Sequence, residues 1–265
     1  SIICGWNLIK KELTKNNTLL EPVDSEHFAI SQLFKIINPK LIDKVFITAS
    51  GGPFLKKKIK DLKNASIYSA LKHPNWKMGE KISIDSATLV NKVFEIIECY
   101  RLFDIDKEKF KIIIHPQSFV HSIFFLKNGI SISLMHKPDM KIPIAVLLGV
   151  ENIKKNNFFN IKNNYFPAKL EFQEVDKNRF PIISILKHIS KKTSLFESSL
   201  VSANDLLVDQ FLKKKIPFND ISNKLLKLVK KKEFYQLKNI KPTNIKQIRK
   251  IQDHTMLKTS KLSIL

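Results

Sequence analysis

Apolar and polar positions alternate in two registers along the chain. Residues 6–16 place Trp6, Leu8, Ile9 and Leu13 on one side and lysines opposite, the spacing of an amphipathic helix ending at Asn16-Asn17. Leu19 to Val23 reads as a short strand, and helical spacing resumes from His27 to Phe34. Lys44-Val45-Phe46-Ile47-Thr48-Ala49 is a strand running into Ser50-Gly51-Gly52-Pro53, where two glycines before a proline allow close approach to the backbone. Residues 86–103 form the most regular helical stretch, with Leu89, Val90, Val93, Phe94, Ile97 and Tyr100 as its packed side and Ser86 at its N-terminal end. Lys111–Ile114 and Val120–Leu126 are strands. Asn128-Gly129 then signals a two-residue hairpin returning over Ile130–Met135. A short helix is expected from Ile144 to about Val150. The stretch 151–176 lacks either period and reads as a linker, and helical spacing fills the remainder to residue 265.

These elements predict an α/β (α+β) central domain with an antiparallel hairpin over 24–150, followed by an all-α bundle over 177–265. Length agrees: 265 residues suffice for two domains. No run of about 18 uncharged apolar residues suggests a membrane span. Two cysteines, Cys4 and Cys99, are too few for a disulfide framework, so a reducing, cytoplasmic setting is expected. The net charge of +22 raises the question of nucleic acid. Almost all of it is lysine, in runs such as Lys56-Lys57-Lys58 set among Asn, Ile and Phe. Arginine, which recognises phosphates and bases in bidentate fashion, is confined to Arg101, Arg179 and Arg249, so neither nucleic acid nor membrane is an expected partner.

Candidate chemistry centres on Pro22-Val23-Asp24-Ser25-Glu26-His27. On an extended strand, Asp24 and Glu26 would share a face and offer hard oxygen ligands to Mg²⁺ or Mn²⁺. The same spacing also suits a solvated strand face. In the 86–103 helix, Asn91 and Glu95 lie four apart on one side. Ser86, Asn91 and Lys92 suit a phosphate at a helix N-terminus, with Glu95 one turn deeper as a further metal ligand. A capped helix with a solvated polar stripe is the plainer alternative. His73-Pro74-Asn75-Trp76-Lys77-Met78-Gly79 reads as a mobile lid, or as a surface loop anchored by its tryptophan.

Six segments, PVDSEH at 22–27, TASGGPF at 48–54, HPNWKMG at 73–79, KISIDSATLVNKVFE at 81–95, HPQSFVHS at 115–122 and KPDMKIPIA at 137–145, together resemble the 1-deoxy-D-xylulose 5-phosphate reductoisomerase family in order and spacing. The resemblance implies isomerisation of 1-deoxy-D-xylulose 5-phosphate and its NADPH-dependent reduction to 2-C-methyl-D-erythritol 4-phosphate, in the non-mevalonate route to isoprenoid precursors. It implies Asp24, Glu26 and Glu95 as ligands of Mg²⁺ or Mn²⁺, with Co²⁺ as an alternative. It assigns Ser25 to substrate, and Ser50, Ser86, Asn91 and Lys92 to its phosphate. His73 and Trp76 match the lid, Met78, Gly79 and Met140 the nicotinamide side, and His121 a further active-site histidine. It also implies a homodimer joined through the central domain. The family opens with an NADPH-binding Rossmann domain, whereas no G-x-G-x-x-G segment occurs here. The chain therefore reads as lacking that domain, with 1–23 a remnant of its end. Two rival classes, a metal-dependent sugar-phosphate enzyme without a redox step and a non-enzymatic basic binding module, are separated by whether NADPH is consumed and whether nucleic acid is bound.

Overall fold

A computed structural model describes residues 1–150 and 167–262. Their elements run α1 (Ile2–Lys15), α2 (Ser25–Phe34), β1 (Ile42–Ala49), α3 (Ile67–Leu71), α4 (Glu80–Thr88), α5 (Val90–Phe103), β2 (Phe110–Ile114), β3 (Val120–Leu126), β4 (Ser131–Met135), α6 (Lys141–Leu147), α7 (Leu195–Leu212), α8 (Phe218–Val229), α9 (Lys232–Tyr235) and α10 (Ile245–Leu262). They fall into two compact units that alternate along the chain. A helical unit comprises 1–19, 51–102 and 176–265, and a sheet unit comprises 20–50 and 103–175.

This division differs from the expected one. The stretch 24–150 contributes to both units, because α4 packs on α7 and Arg101 of α5 pairs with Glu197 of α7. Residues 1–19 likewise belong with the helical unit, where α1 rests on α7 and α10. The expected linker falls largely on 151–166, outside the described residues. Its last part is ordered by an antiparallel bridge between Gln173 and Ile114.

The sheet unit holds four described strands in the order β2-β1-β3-β4. β1 runs parallel to β2, pairing Val45 with Phe110 and Ala49 with Ile114, and antiparallel to β3. Parallel neighbours require a long crossover, and the whole of 51–102 lies between them in sequence. Inside this sheet Thr48 Oγ1 donates to the Val120 carbonyl at 2.6 Å. α2 packs on β3 and β4, and Phe34 meets Phe124 edge-on at 5.4 Å between ring centres. The β3–β4 turn is one residue longer than the expected two-residue connection. Leu126 N–H bonds the Ile130 carbonyl at 2.8 Å around Lys127-Asn128-Gly129. Gly129 takes φ +86°, the left-handed conformation that closes such a three-residue loop.

In the helical unit, α7 starts with a capping box: Ser194 N–H and hydroxyl both donate to Glu197, at 3.0 and 2.6 Å. Leu200, Ala203 and Leu207 of α7 and Ile221, Leu225 and Leu228 of α8 are fully buried, and these helices pack together. Arg101, near the end of α5, donates to the carbonyls of Ile2 and Ile3 and pairs with Glu197 at 3.3 Å, with both side chains buried. One guanidinium thus ties α5, α1 and the start of α7.

The expected single helix over 86–103 is broken. α4 ends at Thr88, Leu89 turns left-handed at φ +62°, and α5 begins at Val90. The Thr88 hydroxyl faces the carbonyls of Ile84 and Asp85 at 3.0 and 3.2 Å, holding the last turn closed. Leu89 is 1% exposed, so the apolar period passes through the break unchanged and conceals it in the sequence. Gly52 lies against the outside of this joint at φ +65°. A Cβ there would come within 2.8 Å of the Ala87 Cα.

Removing Arg101 strands the buried Glu197 carboxylate. Arg101→Ala is expected to lower unfolding free energy by roughly 3–5 kcal/mol in urea denaturation, and a loss below about 1 kcal/mol would show that the pair is not a clamp.

Candidate functional site

In the sheet unit, Asp24 and Glu26 are not on a strand. Residues 18–23 form no regular structure, and Asp24 is the N-cap of α2, its Oδ1 accepting from Glu26 N at 3.2 Å and His27 N at 3.4 Å. Asp24 as cap and Glu26 in the first turn are the acidic start preferred by a helix, a signal that the Asp-x-Glu spacing obscured. On the helix they remain close: one oxygen of each lies within 4.8 Å of the other. The Ser25 hydroxyl donates to Glu26, which is buried, and His27 Nδ1 lies 3.6 Å from Asp24. Two neighbouring hard carboxylates, Glu26 buried and Asp24 half-exposed, suit a divalent cation such as Mg²⁺ or Mn²⁺.

His121, on β3, is buried and stacks on His136, with ring centres 3.9 Å apart. Its Nε2 faces the His136 carbonyl at 3.2 Å; a carbonyl only accepts, so Nε2 carries the hydrogen. His136 itself bonds the Lys137 carbonyl through Nδ1 at 2.7 Å and meets Phe28 edge-on. Burial lowers its pKa, opposed by that bond and by Glu26. Sequence reasoning missed His136 because its partners lie on β3 and α2, and nothing local in Met135-His136-Lys137 announces them. Ser50 directly follows β1, and Met140 is the half-buried cap of α6.

In the helical unit the break at Leu89 relocates Ser86. It lies in the last turn of α4, not at the N-terminal end of a helix. Asn91 and Lys92 instead occupy the first turn of α5, where the helix end favours anions. The Asn91 amide donates to Glu95 Oε1, and Lys92 Nζ lies 2.7 Å from Glu95 Oε2. Lys92 and Glu95 are both buried. The i, i+4 relation expected from sequence is therefore a bond, with the ammonium added one turn above the carboxylate.

His73, Trp76, Met78 and Gly79 also lie in this unit. Gly79 caps α4, its carbonyl accepting from Ser83 N–H at 3.1 Å and Ser83 Oγ at 2.9 Å, while Trp76 and Met78 are half-buried. His73 Nδ1 accepts from Asn75 N at 3.2 Å and from Trp76 N at 3.0 Å. Both bonds require Nδ1 unprotonated, so the neutral ring carries its hydrogen on Nε2 as a donor. Burial, and then the Lys92 ammonium, lower its pKa to about 4.

A family model described as the 1-deoxy-D-xylulose 5-phosphate reductoisomerase C-terminal domain matches residues 20–103, and one described as the DXP reductoisomerase C-terminal domain matches 135–256. The 1-deoxy-D-xylulose 5-phosphate reductoisomerase of Pelagibacter ubique (strain HTCC1062) is 47% identical over all of this chain and 68% of its own length. The chain belongs to the 1-deoxy-D-xylulose 5-phosphate reductoisomerase family. A second reductoisomerase, from Clostridium tetani (strain Massachusetts / E88), is 40% identical over 87% of this chain and 60% of its own length. A crystal structure of DOX-P reductoisomerase in complex with NADPH, fosmidomycin and magnesium superposes with a TM-score of 0.89 at 30% identity, covering all of this chain and 68% of that one. The Zymomonas mobilis reductoisomerase in complex with NADPH gives 0.79 at 30% identity, covering 99% and 66%. The chain thus spans 60–68% of the lengths of these reductoisomerases.

His73 is expected to titrate near pH 4 in NMR spectra of the folded chain, well below an ordinary histidine near 6.5. Between these values the unfolded chain takes up a proton that folded His73 refuses. Stability contributed by neutral His73 is present above pH 6.5 and is lost as pH falls towards 4. Lys92→Ala should move the titration upward; an ordinary pKa in the unmodified chain would remove the buried, neutral assignment.

Proposed function

We propose that this chain carries the metal- and substrate-binding part of a reductoisomerase that isomerises 1-deoxy-D-xylulose 5-phosphate and reduces the product to 2-C-methyl-D-erythritol 4-phosphate. The reading rests on family membership, and the observation that carries it to residues is the cluster of half-buried Asn91 with buried Lys92 and Glu95 at the start of α5. An ammonium, a side-chain amide and a helix N-terminus converge there, the donors that a phosphate monoester needs.

Asp24, Glu26 and Glu95 are the proposed ligands of Mg²⁺ or Mn²⁺. When bound, the metal supplies Lewis-acid polarisation of the sugar's carbonyl and adjoining hydroxyl, and NADPH supplies the hydride. Ser25, already bonded to Glu26, orients the substrate's oxygens beside that carboxylate. Ser50, Ser86, Asn91 and Lys92 hold the phosphate, and binding at this remote group fixes the reacting carbons in place. His73 meets the substrate as a neutral ring, without contributing a second positive charge. Its bonds to the Asn75 and Trp76 backbone carry the indole with it, so 73–79 acts as a lid that excludes water. Met78, Gly79 and Met140 flank the nicotinamide, and His121 lines the site.

The functional grouping of 24–150 as catalytic and dimerisation segment belongs to the same reading. Ile144, Val146, Leu148 and Val150, on and just after α6, are at least 42% exposed, apolar side chains available to a homodimer contact. Cys4 and Cys99 are not joined in a disulfide, in keeping with the cytoplasm.

The test is substrate-dependent NADPH consumption with Mg²⁺ or Mn²⁺, analysed for the methylerythritol phosphate product. Release of inorganic phosphate without NADPH consumption would overturn the reading. In a Mn²⁺ titration, Glu95→Gln is expected to weaken binding at least tenfold; unchanged affinity would remove Glu95 from the metal site.

A further inference from the structure

Asp85 precedes Ser86 on α4 and is 3% exposed, although it is a carboxylate in the helical unit's interior. Asn204, at the middle of α7 and 0% exposed, donates its amide to Asp85 Oδ1 at 2.7 Å. Lys81, one turn earlier on α4, reaches Asp85 Oδ2 at 2.6 Å and Asp205 Oδ1 at 3.1 Å. Four polar residues from two helices thus form one buried-to-half-exposed chain of contacts. None of them has a role in the function proposed above.

As packing, this arrangement is costly. A buried carboxylate must be paired to be tolerated, and a side-chain amide inside a helix bundle must satisfy its own polar atoms. Here the Asn204 carbonyl oxygen is buried without a hydrogen-bond partner among the described residues. An apolar side chain of similar volume would fill the same space without that penalty. What the pair adds is direction. Consecutive helical residues point about 100° apart, so holding the Asp85 side chain from α7 fixes the rotation of α4 about its own axis. The orientation of Ser86 is fixed with it.

The need for such a constraint lies a few residues further on. α4 and α5 meet at Leu89, a non-glycine residue at φ +62° and a strained joint for any L side chain. Asn91 and Lys92 stand on the far side of the joint and Ser86 on the near side. Gly52 packs by its backbone against Ser86 and Ala87 on that near side, and a glycine has no side chain with which to orient the turn.

We propose that Asn204 and Asp85, with Lys81 as the counter-charge, are positioning residues that set the orientation of the Ser86 turn relative to Asn91 and Lys92 and so determine affinity for the substrate's phosphate. The proposal rests on the phosphate assignment made above. It extends the site to the C-terminal helices, which do not themselves touch substrate in that assignment.

The test compares 1-deoxy-D-xylulose 5-phosphate with unphosphorylated 1-deoxy-D-xylulose by calorimetric titration in Mg²⁺, and measures Mn²⁺ affinity separately. Asn204→Leu is expected to weaken the phosphorylated sugar at least tenfold while the unphosphorylated sugar and Mn²⁺ stay within twofold. The reciprocal double variant Asp85→Asn with Asn204→Asp, which rebuilds the bond with its partners exchanged, is expected to recover most of the loss. A change within twofold for the phosphorylated sugar, or equal losses for all three ligands, would overturn the proposal. Should Asn204→Leu fail to fold, Lys81→Met, at a side chain 48% exposed, carries the same selective loss at threefold or more, and its absence overturns the proposal equally. If the unmodified chain binds both sugars alike, the phosphate assignment itself falls and this inference with it, an outcome distinct from selective binding that survives the variants.

Discussion

The joint at Leu89 is the constraint on which the helical unit depends. A straight helix through 80–103 would carry Ser86 and Lys92 on one rigid rod, with their separation and direction set by the helical repeat alone. Turning Leu89 left-handed frees that geometry, at a cost on the order of 1–3 kcal/mol, and the surroundings must then hold it. Gly52 fits beneath because it has no side chain, Thr88 closes the turn above, and the buried apolar face of α5 secures the segment beyond the joint. The arrangement places a helix start, with its positive end, in the middle of a stretch that would otherwise be helix interior. Asn91 and Lys92 gain their electrostatic setting from that start.

Charge inside the helical unit obeys the same logic. Each of three buried carboxylates meets a partner of opposite sign and at least one further polar group: Glu95 with Lys92 and Asn91, Glu197 with Arg101 and Ser194, Asp85 with Lys81 and Asn204. A net charge of +22 is therefore compatible with an interior in which these anions are matched by cations, the surplus of lysine lying elsewhere.

Much of this was legible beforehand, and the reasons divide cleanly. Strands β1 to β4 were readable from their β-branched and aromatic runs between turn residues, and the helices after residue 194 from their apolar spacing. Family membership was readable because six short segments occur in a recognisable order, independent of the local structure each adopts. What failed was local geometry. Asp24-Ser25-Glu26 reads equally as alternation on a strand or as the acidic first turn of a helix, and the choice is made by the cap bonds that Asp24 accepts from Glu26 and His27. Ser86 was misplaced because a buried leucine can leave helical geometry without disturbing the apolar pattern. His136 and Asn204 were silent because their meaning comes from partners distant in sequence. The alternation of two units was hidden for the same reason, since no composition change marks residues 50 or 102.

That alternation bears on how the chain is made. Ribosomes add roughly 5–20 residues each second. Helices α1 and α4 are complete long before α7, on which both pack, has been synthesised. An interval on the order of ten seconds separates the two events, during which α1 and α4 are without their α7 partner. The nascent chain is most vulnerable to misassociation then, and its dependence on chaperones is set by this order of appearance rather than by the stability of the finished protein.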